Sequence, residues 1–363
     1  MARALRHGYT TGACAAAASL GAARWLAGER PESVELLLPA GETAVFRLHG
    51  CRVEGDAARC FVIKDAGDDP DITHGVEIHA AVERLSPSPR PSSSGGEGRG
   101  EGDVVILGGP GIGRVTKPGL AVPVGEPAIN PVPRRMIVEA VRSVFPAGGV
   151  RVTLSIPDGE ERAQKTLNAR LGVLGGLSIL GTTGIVRPIS HKAWTDTLDV
   201  ALDVALAVGC DQVIGCTGRS SEKAAQAALP DLAEEAFVMM GDHVGYLAEA
   251  CHRKGVPRLT IAAQFAKLVK IACGHRQTHV RSSELDLREL AAWAAALGLD
   301  ASLVRTIVGA NTAREVFLTL GPRHPLVTDV ARRALAQLRD WSAGVRIAIL
   351  LVGYDGEVVG RFD

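Results

Sequence analysis

The apolar and polar positions along the first third of the chain predict a helix followed by strands. Thr10 and Thr11 precede an alanine-rich run that reaches about Ala27, and threonines at this place can cap the predicted helix. Gly28 is a suitable residue to end it. Apolar stretches that alternate with polar residues, as in strands, follow at residues 34–38, 44–48, 60–64 and 76–84. This part of the chain is therefore expected to be an α+β domain with a mixed sheet.

The pattern changes beyond Pro188, where helices alternate with short apolar strands. Helices are expected at about residues 192–208, from residue 221, at 241–253 and in several further segments up to 340. Strands are expected at residues 212–215, 258–262 and 345–352, the last of which closes the sequence. Alternation of this kind predicts a Rossmann-like α/β domain.

The length of 363 residues supports a division into two domains, because a single core usually stops growing at ~250 to 300 residues. We expect the α+β domain at residues 1–190 and the Rossmann-like domain at 191–363. Residues 86–102, SPSPRPSSSGGEGRGEG, interrupt the first domain. A segment of this composition buries too little apolar surface to order itself, so we expect a disordered surface insertion there.

Composition favours a soluble cytoplasmic globular protein. Basic and acidic residues are equal in number, 40 each, so nothing indicates a nucleic-acid partner or an anionic membrane surface. No apolar run approaches the ~20 residues of a membrane span. The seven cysteines include no CxxC pair, which argues against a zinc knuckle or a disulfide framework and suits a reducing cytoplasm.

A glycine-rich loop in the first domain excludes the most familiar nucleotide-binding motif. Residues 104–137 are VVILGGPGIGRVTKPGLAVPVGEPAINPVPRRMI, in which an apolar strand leads into glycines. A dinucleotide fingerprint needs such glycines to open a helix that receives the phosphates. Pro118 prevents a helix there, so we expect extended chain after Val115 and a helix that begins at Pro131, capped by Asn130. The glycines then provide room either for a ligand or for closely packed backbone.

Further distinctive segments are RHGYTTGACAAAA at 6–18, KDAGDDPDITHG at 64–75, TLSIPDGEERAQKTLNARLGVLGGLSILGTTGIVRP at 153–188 and, more weakly, KLVKIACGHRQTHVRSSELD at 267–286. Together with residues 108–137 they resemble one family, the cobalt-precorrin-5B C1-methyltransferases of anaerobic cobalamin synthesis, known as CbiD. The resemblance extends over essentially the whole chain. It implies methylation of cobalt-precorrin-5B at C1 by S-adenosylmethionine to give cobalt-precorrin-6A, with cobalt present only as part of the substrate.

The implied substrate is a flat apolar macrocycle fringed with carboxylates, and such a ligand needs several convergent cationic or amide donors. Basic residues inside the glycine- or proline-rich motifs are Lys117, Arg134, Arg135, Lys165, Arg170 and Arg187. Threonine pairs with hydroxyls and adjacent permissive backbone lie at the start of the first helix and in the run 181–184. The predicted substrate site comprises Thr10, Thr11, Lys117, Arg134, Lys165, Thr182 and Thr183. Simple helix capping and a tight turn are the alternative interpretations of the two threonine pairs.

Three kinds of residue are candidates for binding the methyl donor, S-adenosylmethionine. Carboxylates in the acidic segment can accept its hydrogen bonds, the glycine loop offers space, and the end of the strand 212–215 is where α/β proteins bind ligands. The predicted residues are Asp65, Asp68, Gly109, Gly111, Gly113, Thr217 and Gly218. The acidic spacing within 64–74 fits no EF-hand loop, so we expect an Asx-type turn there and no metal site.

No Ser-His-Asp order and no HExxH pair identifies a catalytic residue, and the general base stays unassigned. Two other functions remain open. One is a corrin-binding chaperone that uses the same cationic site without a methyl donor, and the other is a phosphate-ligand enzyme, against which Pro118 argues.

The chain departs from the family pattern at Phe265 and Ala266, where relatives usually carry glycines before Lys267. This departure puts Lys267 and His279 in doubt as binding residues. Besides the substrate, we expect transient contact with neighbouring pathway enzymes, and the sequence does not indicate an oligomeric state.

Overall fold

In a computed structural model of the chain, the described residues are 5–85, 104–188, 190–280, 282–283 and 285–363. The chain divides into two compact units, Met1–Ser190 and His191–Asp363, and each unit has its own apolar core. The expected insertion at 86–102 lies outside the described residues. Among the helices of the described segments, none combines the length and the apolar character needed to cross a membrane.

The first unit combines helices with one larger sheet and several strand pairs. Its helices are α1 (Thr11–Leu26), α2 (Pro131–Arg142) and α3 (Gly159–Ala163). The strands of the larger sheet are β4 (His49–Glu54), β5 (Ala57–Ile63), β6 (Glu77–Arg84), β7 (Val104–Gly108) and β10 (Val150–Ser155). The strand pairs are β1 (Gly8–Tyr9) with β13 (Ile185–Val186), β2 (Ser33–Leu37) with β3 (Thr43–Arg47), β8 (Gly111–Ile112) with β12 (Gly176–Leu177), and β9 (Arg114–Val115) with β11 (Val173–Leu174).

The larger sheet is mixed and supports a helix made of small residues. Its strand order is β4-β5-β6-β10-β7, with β7 and β10 parallel and the other pairs antiparallel. Helix α1 packs on β5 and β6 and also against α2, and residues 13–18 of α1 are fully buried. Because these side chains are alanines and one cysteine, the helix can approach the sheet and α2 closely on all sides.

One strand of the first unit was missed, and two local expectations were wrong. Strand β4 was not predicted, because it is largely exposed and lacks apolar alternation. The segment after Val115 forms turns instead of extended chain, since Gly119 and Gly125 take φ of 96° and 91° and the amide of Gly125 returns to the carbonyl of Val115. Asn130 is the residue before α2, but its side chain makes no capping hydrogen bond. Pro133, at the third helical position, has no amide hydrogen that this side chain could accept.

The second unit is a sheet covered by helices. Its helices are α4 (His191–Ala207), α5 (Arg219–Ala228), α6 (Val244–Lys254), α7 (Phe265–Ala272), α8 (Leu287–Ala296), α9 (Ala301–Gly309), α10 (Ala313–Leu320) and α11 (Pro325–Trp341). Its strands are β14 (Gln212–Cys216), β15 (Phe237–Met239), β16 (Arg258–Gln264), β17 (Arg346–Val352) and β18 (Val358–Phe362).

The strand order in this sheet is β15-β14-β16-β17-β18. The first four strands are parallel, and β18 is antiparallel to β17. Alternate residues of the strands enter two cores. One core contains Ile214 and Ala262 with residues of α5, and the other contains Val213 and Ile261 with residues of α4, α6, α7 and α11. Helices therefore cover both faces.

The expected end of the second unit was wrong, because β17 does not close the sequence. The chain turns at Gly356, where φ is 88°, and returns as β18. Strand β15 was also not predicted, and at three residues it is too short to give a periodic signal. Helix α6 begins three residues later than the expected Gly241, since that glycine takes φ of 58° and turns the chain.

Candidate functional site

The threonines at the start of α1 are engaged with the loop 180–184. The hydroxyl of Thr10 caps the helix by accepting a hydrogen bond from the amide of Ala13 at 3.2 Å. The hydroxyl of Thr11 accepts from the amide of Leu180 at 2.9 Å and donates to its carbonyl at 3.1 Å. The amide of Gly12 also donates to that carbonyl, at 3.0 Å. These contacts describe the capping alternative, and a role of Thr10 and Thr11 in substrate binding stays a prediction.

Thr182 and Thr183 lie in the same loop and are exposed. The hydroxyl of Thr183 donates to the carbonyl of Ile185 at 3.1 Å, as in a tight turn. Gly181, with φ of 128°, lies directly against the Thr10 side chain, so a larger residue would collide with it. The structure thus brings the two predicted threonine pairs together, with one pair buried and the other on the surface.

The acidic segment after β5 is organised by ion pairs. Arg6 forms a salt bridge with Asp65, and a hydrogen bond from Arg6 is the main cause that lowers the pKa of Asp65 to about 2. Asp68 accepts a hydrogen bond from the backbone amide of Arg6 at 2.7 Å. The buried ammonium of Lys64 pairs with Asp71. Both carboxylates predicted to bind the methyl donor therefore have partners within the chain, and the described residues contain no cluster of acidic, His and Cys side chains that could hold a metal ion.

The glycine loop is packed against backbone from distant parts of the first unit. A side chain at Gly111, which has φ of 76°, would overlap the carbonyl oxygen of Ile156. A Cβ atom at Gly113 would lie 2.9 Å from the carbonyl oxygen of Gly176, and one at Gly109 would lie 3.0 Å from that of Leu154. Of the two interpretations of these glycines, the structure supplies the contacts for close backbone packing. Their role beside the methyl donor remains a prediction.

The predicted cationic residues of the first unit differ in how far they are engaged. Lys117 donates to the carbonyl of Arg170 at 3.2 Å. Arg134 donates to the carbonyl of Ile129 at 2.8 Å and lies 3.6 Å from a carboxylate oxygen of Glu126. Lys165 is exposed, and its ammonium lies 3.8 Å from Glu161 one turn earlier. Lys165 is therefore the one of these three predicted residues whose charge is used least by the fold.

Thr217 and Gly218 lie where the sheet of the second unit has a topological switch. Strand β14 is followed by α5 on one face, whereas its neighbour β16 is followed by α7 on the other. Helices that leave adjacent parallel strands toward opposite faces open a crevice at the carboxyl ends of those strands. The hydroxyl of Thr217 lies 3.2 Å from that of Ser221, and the Ser221 hydroxyl accepts from the amide of Gly218 at 3.0 Å.

Phe265, where the chain departs from the family pattern, belongs to the apolar core of the second unit. The Phe265 side chain is fully buried in the core of the second unit, where its ring lies 5.4 Å from that of Phe317. The ammonium of Lys267, two residues later in α7, pairs with Asp242 and lies 3.3 Å from the carbonyl of Thr278. The larger side chain at 265 is thus accommodated in the core of the second unit, and Lys267 is directed to the loop after β15.

A polar cluster that was not predicted from sequence lies in that loop, at the same edge of the sheet. Asp242 accepts a hydrogen bond from Thr278 at 2.7 Å as well as the ion pair with Lys267. Burial opposes ionisation, but the hydrogen bonds from Lys267 and Thr278 outweigh it and lower the pKa of Asp242. The ring of His243 stacks on Trp194, with centroids 5.9 Å apart. The only available signal was Gly-Asp-His after the five apolar residues 236–240, a run without the alternation that marks a half-buried strand.

The first unit thus presents threonines and cations on glycine-rich loops. The second presents polar side chains at the carboxyl ends of its parallel strands, where α/β proteins bind small molecules. Comparison with known proteins identifies one family for both units. The family described as CbiD matches residues 1–188, and the family described as CbiD, C-terminal domain, matches residues 277–363.

Relatives match over nearly the full length. A protein of Geobacter sulfurreducens named cobalt-precorrin-5B C(1)-methyltransferase is 57% identical, with 98% of each chain covered. One of the same name from Pseudomonas putida is 42% identical, with 98% of this chain and 96% of the relative covered. A solved structure titled cobalamin biosynthesis protein (cbiD) from Archaeoglobus fulgidus is 30% identical over 75% of this chain and 81% of that one, with a TM-score of 0.38. The chain belongs to the CbiD family.

Proposed function

We propose that this protein transfers the methyl group of S-adenosylmethionine to C1 of cobalt-precorrin-5B and so forms cobalt-precorrin-6A and S-adenosylhomocysteine. The observation that carries the proposal is the 57% identity, over 98% of both chains, to a protein named for this reaction. The sulfonium of the donor already contains the leaving group, and the electron-rich macrocycle is the nucleophile. Catalysis then depends mainly on holding the two reactants in line and excluding water. The cobalt enters with the substrate.

We further propose that the second unit is a Rossmann-like domain and that the methyl donor binds at its switch point, beside Thr217 and Gly218. Three observations support this placement: the parallel strands β15, β14, β16 and β17, the helices on both faces, and the divergence of α5 and α7 from adjacent strands. The glycine loop of the first unit is filled by its own backbone, which leaves less room for a donor there. The domains proposed are residues 1–190 and 191–363.

The substrate is proposed to bind the first unit through the loop 180–184 and the motif cations. Lys165 and Thr182 are both exposed, and an exposed ammonium can pair with a peripheral carboxylate of the macrocycle.

Isothermal titration calorimetry with S-adenosylhomocysteine tests the donor site. The backbone at Gly218 has φ of 179°, and a Cβ atom there meets nothing within 4 Å, so Gly218→Val adds bulk to the crevice without strain in the fold. We expect one-site binding to the wild type and at least tenfold weaker binding to Gly218→Val. Gly309→Val is the matched control, because a Cβ atom at Gly309 also meets nothing within 4 Å and this residue ends a helix away from the crevice. Equal affinity in both variants would remove Gly218 from the site.

A wild-type protein that binds corrin but neither S-adenosylhomocysteine nor S-adenosylmethionine would instead support the carrier function. Formation of S-adenosylhomocysteine from donor and cobalt-precorrin-5B, followed by liquid chromatography and mass spectrometry, decides between the two directly.

A further inference from the structure

The methyl transfer proposed above releases a proton. The bond between sulfur and the methyl carbon breaks, its electron pair stays on S-adenosylhomocysteine, and an electron pair of the macrocycle forms the new carbon–carbon bond at C1. The positive charge of the sulfonium thereby passes to the macrocycle. The macrocycle returns to its original charge when one of its own protons leaves, so a nearby base that is unprotonated at neutral pH assists the reaction.

His243 lies at the edge of the sheet where the methyl donor is proposed to bind. It follows β15 and precedes α6, and the amide of Met240, three residues earlier, donates to the carbonyl of Cys216 at the end of β14 at 2.9 Å. Thr217 comes directly after Cys216. His243 and the proposed donor site therefore lie in adjacent loops at one edge of one sheet.

The surroundings of His243 are those of a binding surface. Trp194, 46% exposed, stacks on the imidazole and offers a flat apolar face beside it. The His191 ring lies 5.6 Å away on the same side of the unit. The amide nitrogen of Gln277 lies 3.3 Å from a ring nitrogen of His191, and its amide oxygen is buried without a hydrogen-bond partner among the described residues. A buried polar atom of this kind is commonly satisfied by a bound ligand or water.

The charges around His243 favour the neutral imidazole. Burial and the nearby His191 lower its pKa from the ordinary value of 6.5. Asp242 is the group that acts in the opposite direction, but its carboxylate is paired with Lys267 and accepts from Thr278. Within the described part of the chain, the ring nitrogens of His243 make no hydrogen bond, so the imidazole is not held as a structural donor.

We propose that the imidazole of His243 accepts the proton that the macrocycle loses during methyl transfer. The imidazolium then passes this proton to solvent. This assignment rests on the proposed methyltransferase function, and it names a base for that reaction.

The test is single-turnover formation of S-adenosylhomocysteine at saturating donor and cobalt-precorrin-5B, between pH 5.5 and 8.5, in wild type, His243→Gln and His252→Gln. His252 is the matched control because it is an exposed histidine in the last turn of α6. For the wild type we expect the rate to fall as the pH drops through a pKa below 6.5. For His243→Gln we expect a loss of roughly 100-fold or more, the usual contribution of a general base, and no such acidic limb. His252→Gln should match the wild type.

Two further measurements distinguish loss of the base from loss of donor binding. Calorimetry with S-adenosylhomocysteine should give the same affinity for His243→Gln as for wild type, and added imidazole should restore part of the rate of His243→Ala. A rate for His243→Gln within a few-fold of wild type, or a wild-type rate without an acidic limb, would overturn the role of His243. Failure of the methyltransferase function itself has a different signature, since the wild type would then form no product at any pH.

Discussion

The ion pair between Lys64 and Asp71 allows a sharp prediction about the stability of the first unit. The Lys64 side chain is 1% exposed, whereas that of Asp71 is 24% exposed and also accepts hydrogen bonds from the amide and the hydroxyl of Thr73 at 2.7 and 2.6 Å. Asp71→Asn keeps the shape of the side chain and one acceptor for Thr73, but it leaves the buried ammonium without its counter-charge. Lys64→Met removes the ammonium itself and fills a similar volume.

The size of the loss follows from the burial of Lys64. Removing one partner of a buried ion pair costs ~3–5 kcal/mol when the other stays charged. Since the side chain at position 71 is 24% exposed and water can partly replace the lost carboxylate oxygen, we expect Asp71→Asn to destabilise the first unit by about 2–4 kcal/mol. Lys64→Met should cost no more than about 1 kcal/mol.

Hydrogen–deuterium exchange of peptides from α1 measures this difference, because the buried amides of that helix exchange through opening of the unit. A loss of about 2–4 kcal/mol corresponds to exchange that is roughly 30- to 700-fold faster. Asp56→Asn, at an exposed turn position, is the matched control and should change the free energy of unfolding by less than about 0.5 kcal/mol. If Asp71→Asn destabilises the unit no more than Lys64→Met does, the reasoning from the buried ammonium is refuted.

The same pair has a defined pH dependence. Burial by itself would raise the pKa of Asp71, but the ammonium of Lys64 and the hydrogen bonds from Thr73 outweigh it and lower the pKa. A lowered pKa in the folded state gives stability that is present above the unfolded pKa of ~3.9 and is lost as the pH falls through the folded value. The difference in stability between wild type and Asp71→Asn should therefore shrink below about pH 4.

Two other predictions concern the first unit. Gly111→Ala should destabilise it by more than about 3 kcal/mol, because φ is 76° and the added methyl group would overlap the carbonyl oxygen of Ile156. Gly125→Ala is the control: φ is 91°, but the space around the new methyl group is open, so the cost should be only about 1 kcal/mol. A urea titration measures both free energies of unfolding. Lys165→Ala should raise the KM for cobalt-precorrin-5B at least threefold with kcat unchanged, as expected for lost uniform binding. Arg52→Ala removes an exposed cation of the same unit that also has an acidic partner, Glu54, and should leave KM unchanged. An equal KM in both variants would exclude Lys165 from the substrate site.

How far the fold follows from the sequence depends on whether an element has a periodic signal of its own. Helix α1 and strand β16 are long enough for their apolar pattern to place them within a few residues. Strands β4 and β15 are not, because the first is an exposed edge strand and the second spans three residues. Both are strands only through their hydrogen bonds to a neighbour, β5 and β14 respectively, and such pairing is a long-range property.

Prediction of the candidate site from the sequence likewise depended on which strands were predicted. Thr217 and Gly218 were predicted because they follow a recognisable strand, whereas Asp242 and His243 were not, because β15 before them was not predicted. A polar residue is a candidate for chemistry at a sheet edge only when the strand that carries it there is known.

The glycine-rich segment gave the opposite result: its sequence is distinctive, yet its glycines are accounted for by packing. Residues 108–113 cross residues 154–159 and 173–177, and at Gly111 and Gly113 the crossing backbone occupies the position of a side chain. Three segments distant in sequence can approach so closely only where no Cβ atom intervenes. The distinctive glycine motif is thus explained by close packing of backbone. His243, the proposed base, lies in the other unit, in a loop without any motif. Mutagenesis aimed at the reaction should accordingly begin at His243 and the crevice beside Gly218, and mutagenesis aimed at folding should begin at Gly111.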